Sequence, residues 1–72
     1  MLTGRRFRLE RATLAVERVA GKLRAVTIPA GSILTVLSGP IKGMVKIDWE
    51  GRTIEMFEVD LSVRGTELTD GA

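Results

Sequence analysis

Residues 44–57, MVKIDWEGRTIEMF, carry a strand-pairing register in their own side chains. A two-residue turn at Glu50 and Gly51 sets Trp49 against Arg52, Ile47 against Ile54 and Val45 against Met56, while Lys46 meets Glu55 on the opposite face. One face is then apolar and the other carries a charge pair. Because strand side chains alternate with period two, a slip of one residue would set Ile47 against Glu55 and lose both patterns together. This β-hairpin is the element around which any fold of the chain has to be built.

The flanking sequence adds more strand than helix. RRFRLE alternates, with Phe7 and Leu9 on one side and Arg6, Arg8 and Glu10 on the other. ATLAVERV repeats the pattern, with Leu14 and Val16 on one face and Ala15 and Glu17 on the other. A turn at Ala20 and Gly21 pairs Glu17 with Arg24 and returns the chain through KLRAVTI. There the inward set shifts from Leu23 and Ala25 to Val26 and Ile28, which predicts a β-bulge near residues 25 and 26. LERATLAVERVA is the best candidate for a helix, since Leu9, Ala12, Val16 and Val19 sit near helical spacing, but the alternating residues on either side favour a hairpin.

Pro29, Ala30 and Gly31 form a turn, because proline cannot donate to a central ladder and glycine tolerates positive φ. SILTVL follows as a strand with apolar side chains on both faces, which predicts a central position covered on both sides. SGPIKG, residues 38–43, reads as a loop with Ile41 and Lys42 at its tip. After Phe57 the alternation breaks, predicting a 3₁₀ turn over residues 59–62 and a short last strand or tail from Val63. Residues 1–4 and 69–72 are expected to fray. The expectation is one all-β domain over residues 1–72, a small, partly open barrel of five or six strands.

IPAGSILTVL, KIDWEGRTIEM and FEVDL occur in the order of a glycine turn, a strand, a tight distal hairpin and a turn before the last strand. In this they resemble the SH3-like barrel over about two thirds of the chain. The chain also resembles short bacterial proteins of no known activity that carry IPAG, WEG and a late DL followed by RG. The SH3 resemblance does not extend to polyproline recognition, which in that family needs an ALYDY-like segment, a tryptophan opening the strand after the second long loop and a tyrosine in the 3₁₀ turn. Here the single tryptophan, Trp49, lies beside the tight turn, where Arg52 is expected to stack over it at one end of the barrel. With Phe7, Trp49 and Phe57 as the whole aromatic complement, a cage for methylated lysine is also disfavoured.

Seventy-two residues bury only about 60% of the surface that the unfolded chain exposes, so the stability margin is small. There is no cysteine and no histidine, so disulfides and the usual zinc sites cannot supplement the core. Without His, Cys or Tyr, proton transfer near neutral pH would need a strongly shifted Lys, Asp or Glu in a pocket. The nearest carboxylate pair, Asp48 and Glu50, reads better as part of a solvated face with Lys46, Thr53 and Glu55. The expectation is a non-catalytic chain with no cofactor, no metal and no small-molecule substrate. No apolar run follows the Arg5, Arg6 and Arg8 cluster, and none approaches the ~18 residues of a membrane span, so a cytoplasmic location away from membranes is expected.

Two surface readings remain. Residues 1–36 hold seven basic and two acidic side chains, and residues 37–72 hold four basic and seven acidic. LTVLSGPIKGMVKID resembles the KOW motif of ribosomal and transcription-elongation proteins at Gly39, Pro40 and Gly43, although Val45 and Lys46 stand where that family usually has a further glycine. The resemblance implies phosphate contacts from Lys42 and Lys46, joined by Arg5, Arg6 and Arg8, to RNA or DNA. The other reading starts from Met44 and Phe57, which fall opposite one another on the polar face, with Ile41 on the adjacent loop. Large apolar groups there either pack under a terminal segment or form a patch for a protein partner or a second copy of the chain.

Overall fold

The computed structural model describes residues 2–69. They form β1 (Arg6–Leu9), β2 (Thr13–Val19), β3 (Lys22–Ile28), β4 (Ile33–Ile41), β5 (Met44–Trp49), β6 (Arg52–Phe57), α1 (Glu58–Arg64) and β7 (Gly65–Leu68). The fold is all-β apart from one short helix, with seven strands where five or six are expected from the sequence. All seven lie in one antiparallel sheet in the order β3-β2-β6-β5-β4-β1-β7. No pairing joins β3 to β7 among the described residues, so the sheet is open and these two strands are its edges.

The β5–β6 register is the one written in the sequence. Trp49 pairs with Arg52, Ile47 with Ile54, Val45 with Met56, Lys46 with Glu55 and Met44 with Phe57. Val45, Ile47, Trp49, Ile54 and Met56 are all buried. Around them gather Phe7 and Leu9 of β1, Leu34 and Val36 of β4, Ala15, Ile28 and Leu61 in a single core. A seven-residue helix cannot cover a seven-stranded face, so the sheet buries this side by curling over it. The Arg52 guanidinium lies 4.9 Å from the Trp49 ring centroid, the expected stack.

Residues 13–19 are strand, not helix: β2 is paired by β3 along its whole length and by β6 at Val16 and Glu17, and that pairing overrides the helical propensity of its Glu, Arg and Ala residues. Its inward face is the one that carries Thr13, Ala15 and Glu17. Thr13 and Ala15 are buried, while Leu14 is 64% exposed and Leu23, across the hairpin, is 60% exposed. The inward face takes the small residues near the core and ends at Glu17, whose carboxylate is held by Arg52. Pairing runs unbroken from Val19↔Lys22 to Thr13↔Ile28, so there is no bulge at residues 25 and 26. Val26 and Ile28 were on the inner side throughout, and Leu23 and Ala25 never were.

Four further expectations are corrected. SGPIKG is not an open loop: β4 continues to Ile41, which pairs with Met44, and only Lys42 and Gly43 turn the chain. Two register shifts in β4, before and after Ser38, absorb the Gly-Pro pair without ending the strand. β4 is central, between β5 and β1, but its outer face is uncovered at Ile33 and Leu37. Residues 58–64 form an α-helix instead of a 3₁₀ turn, with Glu58 and Asp60 in the first turn, Arg64 in the last and Leu61 anchored in the core. At the N-terminus the chain is tied down from residue 2: Leu2 packs against the core and the Gly4 N–H donates to the Val36 carbonyl at 2.8 Å. The fraying expected at residues 69–72 falls, beyond Thr69, outside the described residues.

Candidate functional site

The outer face of the sheet carries most of the residues that sequence reasoning singled out, Lys42 and Arg5 lying outside the strands. Strand alternation and the observed register place Met44, Lys46, Asp48, Thr53, Glu55 and Phe57 on it from the central hairpin. β4 adds Ile41 opposite Met44 and Ser38 opposite Lys46. Phe57 is 56% exposed, Ile41 is 68% exposed and Met44 is half-buried between them. A shallow groove lies here, lined by Ser38, Gly39, Ile41, Met44, Lys46 and Glu55. Gly39 is required at its edge, because a Cβ would approach the Met44 carbonyl oxygen to 2.9 Å. The Glu58 N–H donates to the Gly43 carbonyl at 2.9 Å, which fastens the Lys42–Gly43 turn to the start of α1 and fixes Phe57 beside it.

The apolar row continues into β2 and β3. Val16 stands opposite Glu55, and Leu14 lies two residues further along the same face, towards Phe57. Val16 in turn faces Ala25, Leu14 faces Thr27 and Arg18 faces Leu23. Ile41, Met44, Phe57, Leu14 and Leu23 therefore share one side of the sheet, with Lys46, Glu55 and Arg18 interleaved. Reading from sequence missed Leu14 and Leu23, since it sent Leu23 inward with Ala25 and did not single out Leu14. The Glu17–Arg24 pair groups Ala15 and Val26 on one face and Leu14 and Leu23 on the other, but which of the two is buried is set by Arg52 of β6.

The five basic residues do not gather into one group. Arg6 and Arg8 lie on the outer face of β1, opposite Thr35 and Ile33. Lys46 is two strands away, beyond β4, and Lys42 sits at the β4–β5 turn with φ +53°. Carboxylates interrupt them: Arg5 approaches Glu67 at 3.6 Å and Arg8 approaches Glu10 at 3.3 Å. The Glu10 carboxyl is held below its ordinary pKa first by a hydrogen bond from Thr66 and then by Arg8. Asp48 and Glu50 are not a facing pair, since Glu50 is the first turn residue, with φ +54°. Among the described residues no group of three or more carboxylate side chains is placed to hold a metal ion, and no helix is long and apolar enough to cross a membrane.

At the far end of the hairpin a different set converges. Arg52 donates to Glu17 through Nε and Nη2 at 3.1 and 2.8 Å, and Arg24 reaches the same carboxylate at 3.4 Å. Glu17 therefore links β6, β2 and β3, and its pKa is lowered chiefly by the Arg52 hydrogen bonds. Reciprocally, Arg52 is raised by Glu17. With Trp49 under Arg52, this set is structural: it fastens the β2–β3 hairpin where the ladder to β6 is only two residues long. Comparison of the chain with family models, with curated proteins and with solved structures found no match.

Proposed function

We propose that the protein is a non-catalytic interaction or assembly module on an SH3-like scaffold, and that it engages a protein partner through the outer-face patch of Ile41, Met44 and Phe57. The observation that carries this reading is the patch itself: three large apolar side chains in register on a solvent face, two of which, Ile41 and Met44, line a groove together with the polar pair Lys46 and Glu55. An apolar centre with a polar rim is the anatomy of a protein-binding surface. The scaffold reading draws support from the order of elements: β4, the tight β5–β6 hairpin, a short helix, and a last strand that returns to pair with β1. On that scaffold β2 and β3 form a hairpin extension between the first strand and the glycine turn, and the open edges fit a partly open barrel.

The test is a photo-cross-linking residue at position 41 or 57 in the full chain, with position 22 as an exposed control. A protein captured at 41 and 57 but not at 22 is then purified, and its affinity for the Phe57→Glu variant should fall at least about tenfold, the loss expected of an anchor residue. Equal affinity for parent and variant overturns the reading. The rival is a KOW-like nucleic-acid domain using Arg5, Arg6, Arg8, Lys42 and Lys46. Their dispersal and the partners at Arg5 and Arg8 weigh against it. Salt-sensitive binding of RNA or DNA at ~50 mM salt, lost when Lys42 and Lys46 are replaced by Gln, would establish the rival instead.

A further inference from the structure

We propose that β3 is a self-pairing edge: two copies of the chain join antiparallel along Lys22–Ile28, with the two-fold axis at Ala25. This rests on the reading of the protein as an assembly module and names a second copy as one of its partners.

The backbone supplies the first part of the argument. β3 pairs with β2 alone and is the outermost strand of the sheet. Ala20 and Gly21 have φ +52° and +79°, the positive pair of a type I′ two-residue turn, so the flanking residues Val19 and Lys22 exchange both hydrogen bonds. Alternation along the ladder then directs the N–H and C=O groups of Lys22, Arg24, Val26 and Ile28 towards β2. Those of Leu23, Ala25 and Thr27 point out from the edge. No proline or bulge interrupts this run, the devices that usually blunt an exposed edge. Lys22 and Arg24 do not block it, because their side chains stand on the face and not in the plane of the sheet.

The side chains select the partner. With the axis at Ala25, Leu23 meets the partner's Thr27 and Ala25 meets the partner's Ala25, and every one of these is a residue whose backbone groups point outward, so all three find hydrogen bonds. Arg24 meets the partner's Val26 and Lys22 meets the partner's Ile28, so no like charges face each other. An axis at Arg24 would set the two guanidinium groups against each other. Moving the axis to Val26 brings Leu23 opposite the partner's Pro29, which has no N–H to give. The Ala25 register also joins the exposed apolar rows. Leu14 and Thr27 of one copy run on to the partner's Leu23, and Val16 and Ala25 run on to the partner's Ala25 and Val16.

The mass of the parent chain in sedimentation should rise towards twice the monomer mass as its concentration is raised to about 1 mM. Ala25→Pro removes an outward N–H that β2 does not use, so this variant should melt with the parent at dilutions where both are monomeric, and should stay a monomer in sedimentation where the parent dimerises. Ala25→Lys and Ala25→Glu should each weaken the dimer about fivefold or more, through like charges on the axis, and an equimolar mixture should recover the doubled mass as a heterodimer. Phe57→Glu should leave the doubled mass unchanged. A monomeric parent, a dimeric Ala25→Pro chain, or Lys and Glu variants that fail to recover on mixing overturns the proposal. The patch at Phe57 stands or falls separately, on its own cross-linking test.

Discussion

The β5–β6 and β2–β3 hairpins are built alike and used differently. Each turns on a two-residue pair ending in glycine, Glu50–Gly51 or Ala20–Gly21, with positive φ at both positions, and each sets opposite charges across its strands, Lys46 with Glu55 or Glu17 with Arg24. In β5–β6 every inward position from Val45 to Met56 is buried apart from Arg52, which covers Trp49. In β2–β3 only Thr13, Ala15 and Ile28 are buried, and both leucines, Leu14 and Leu23, face solvent. Local chemistry makes a hairpin; the neighbours decide which face it buries. The first hairpin lies between β4 and β2 and supplies the core, whereas the second ends the sheet and offers an edge.

The largest expected difference between them comes from a charge placed on one large apolar residue of each. Ile47→Asp puts an unpaired carboxylate in a fully buried position and should cost more than about 4 kcal/mol, enough to leave so small a domain unfolded at room temperature. Leu23→Asp, on the exposed strand, should stay within about 0.5 kcal/mol of the parent. Circular dichroism melts of the two variants decide it. A cooperative parent-like melt for Ile47→Asp would mean that the inner face is wrongly assigned, and loss of folding in Leu23→Asp would mean that the β2–β3 hairpin is buried after all.

What could be read in advance follows the same division. Turn residues and cross-strand pairs are neighbours in sequence, so Glu50–Gly51, Ala20–Gly21, Met44↔Phe57 and Glu17↔Arg24 were legible, as was the Arg52 stack on Trp49. The facing of β2 depends on Arg52 and Ile54, more than thirty residues away, and no local pattern reports them. Size is no guide there: Thr13 and Ala15 are buried and Leu14 is not, because Glu17 on the smaller face has an arginine partner in β6 and can turn inward. In SGPIKG the turn formers were real, but bulges in β4 accommodated Gly39 and Pro40, leaving the patch residue Ile41 paired in a strand instead of exposed on a loop. The candidate surface was legible at Ile41, Met44 and Phe57 and illegible at Leu14 and Leu23 for these reasons.

A smaller effect compares the two turns. A Cβ added at Gly51 or at Gly21 meets no atom within 4 Å, so Gly→Ala at either site isolates the cost of positive φ, about 1 kcal/mol. Gly51→Ala acts within the core hairpin and should lower global stability by that amount. In Gly21→Ala the same strain falls on a peripheral hairpin that can open by itself, so amide exchange in Thr13–Ile28 should speed up more than the global melting point falls. Equal changes in global stability, with exchange in β2 and β3 matched to the core, would show that the two hairpins unfold as one unit.

The finest distinction is the pH dependence of the fastening between them. Arg52 holds the Glu17 carboxyl below its ordinary range in the folded chain, so the folded state binds a proton there less readily than the unfolded state does. The contribution of Glu17 is therefore fully present above its unfolded pKa and is lost as pH falls through its lower, folded value. Glu17→Gln should melt below the parent at neutral pH, and the gap should close as the solution is acidified through the carboxylate range. Glu55→Gln, across from Lys46 in the core hairpin, provides the comparison: no ion pair joins those two side chains among the described residues, and the gap there should be smaller at every pH. If Glu17→Gln ran parallel to the parent down to acid pH, the carboxylate would not be what holds β2 to β6, and the two-residue ladder at Val16 and Glu17 would have to do so unaided.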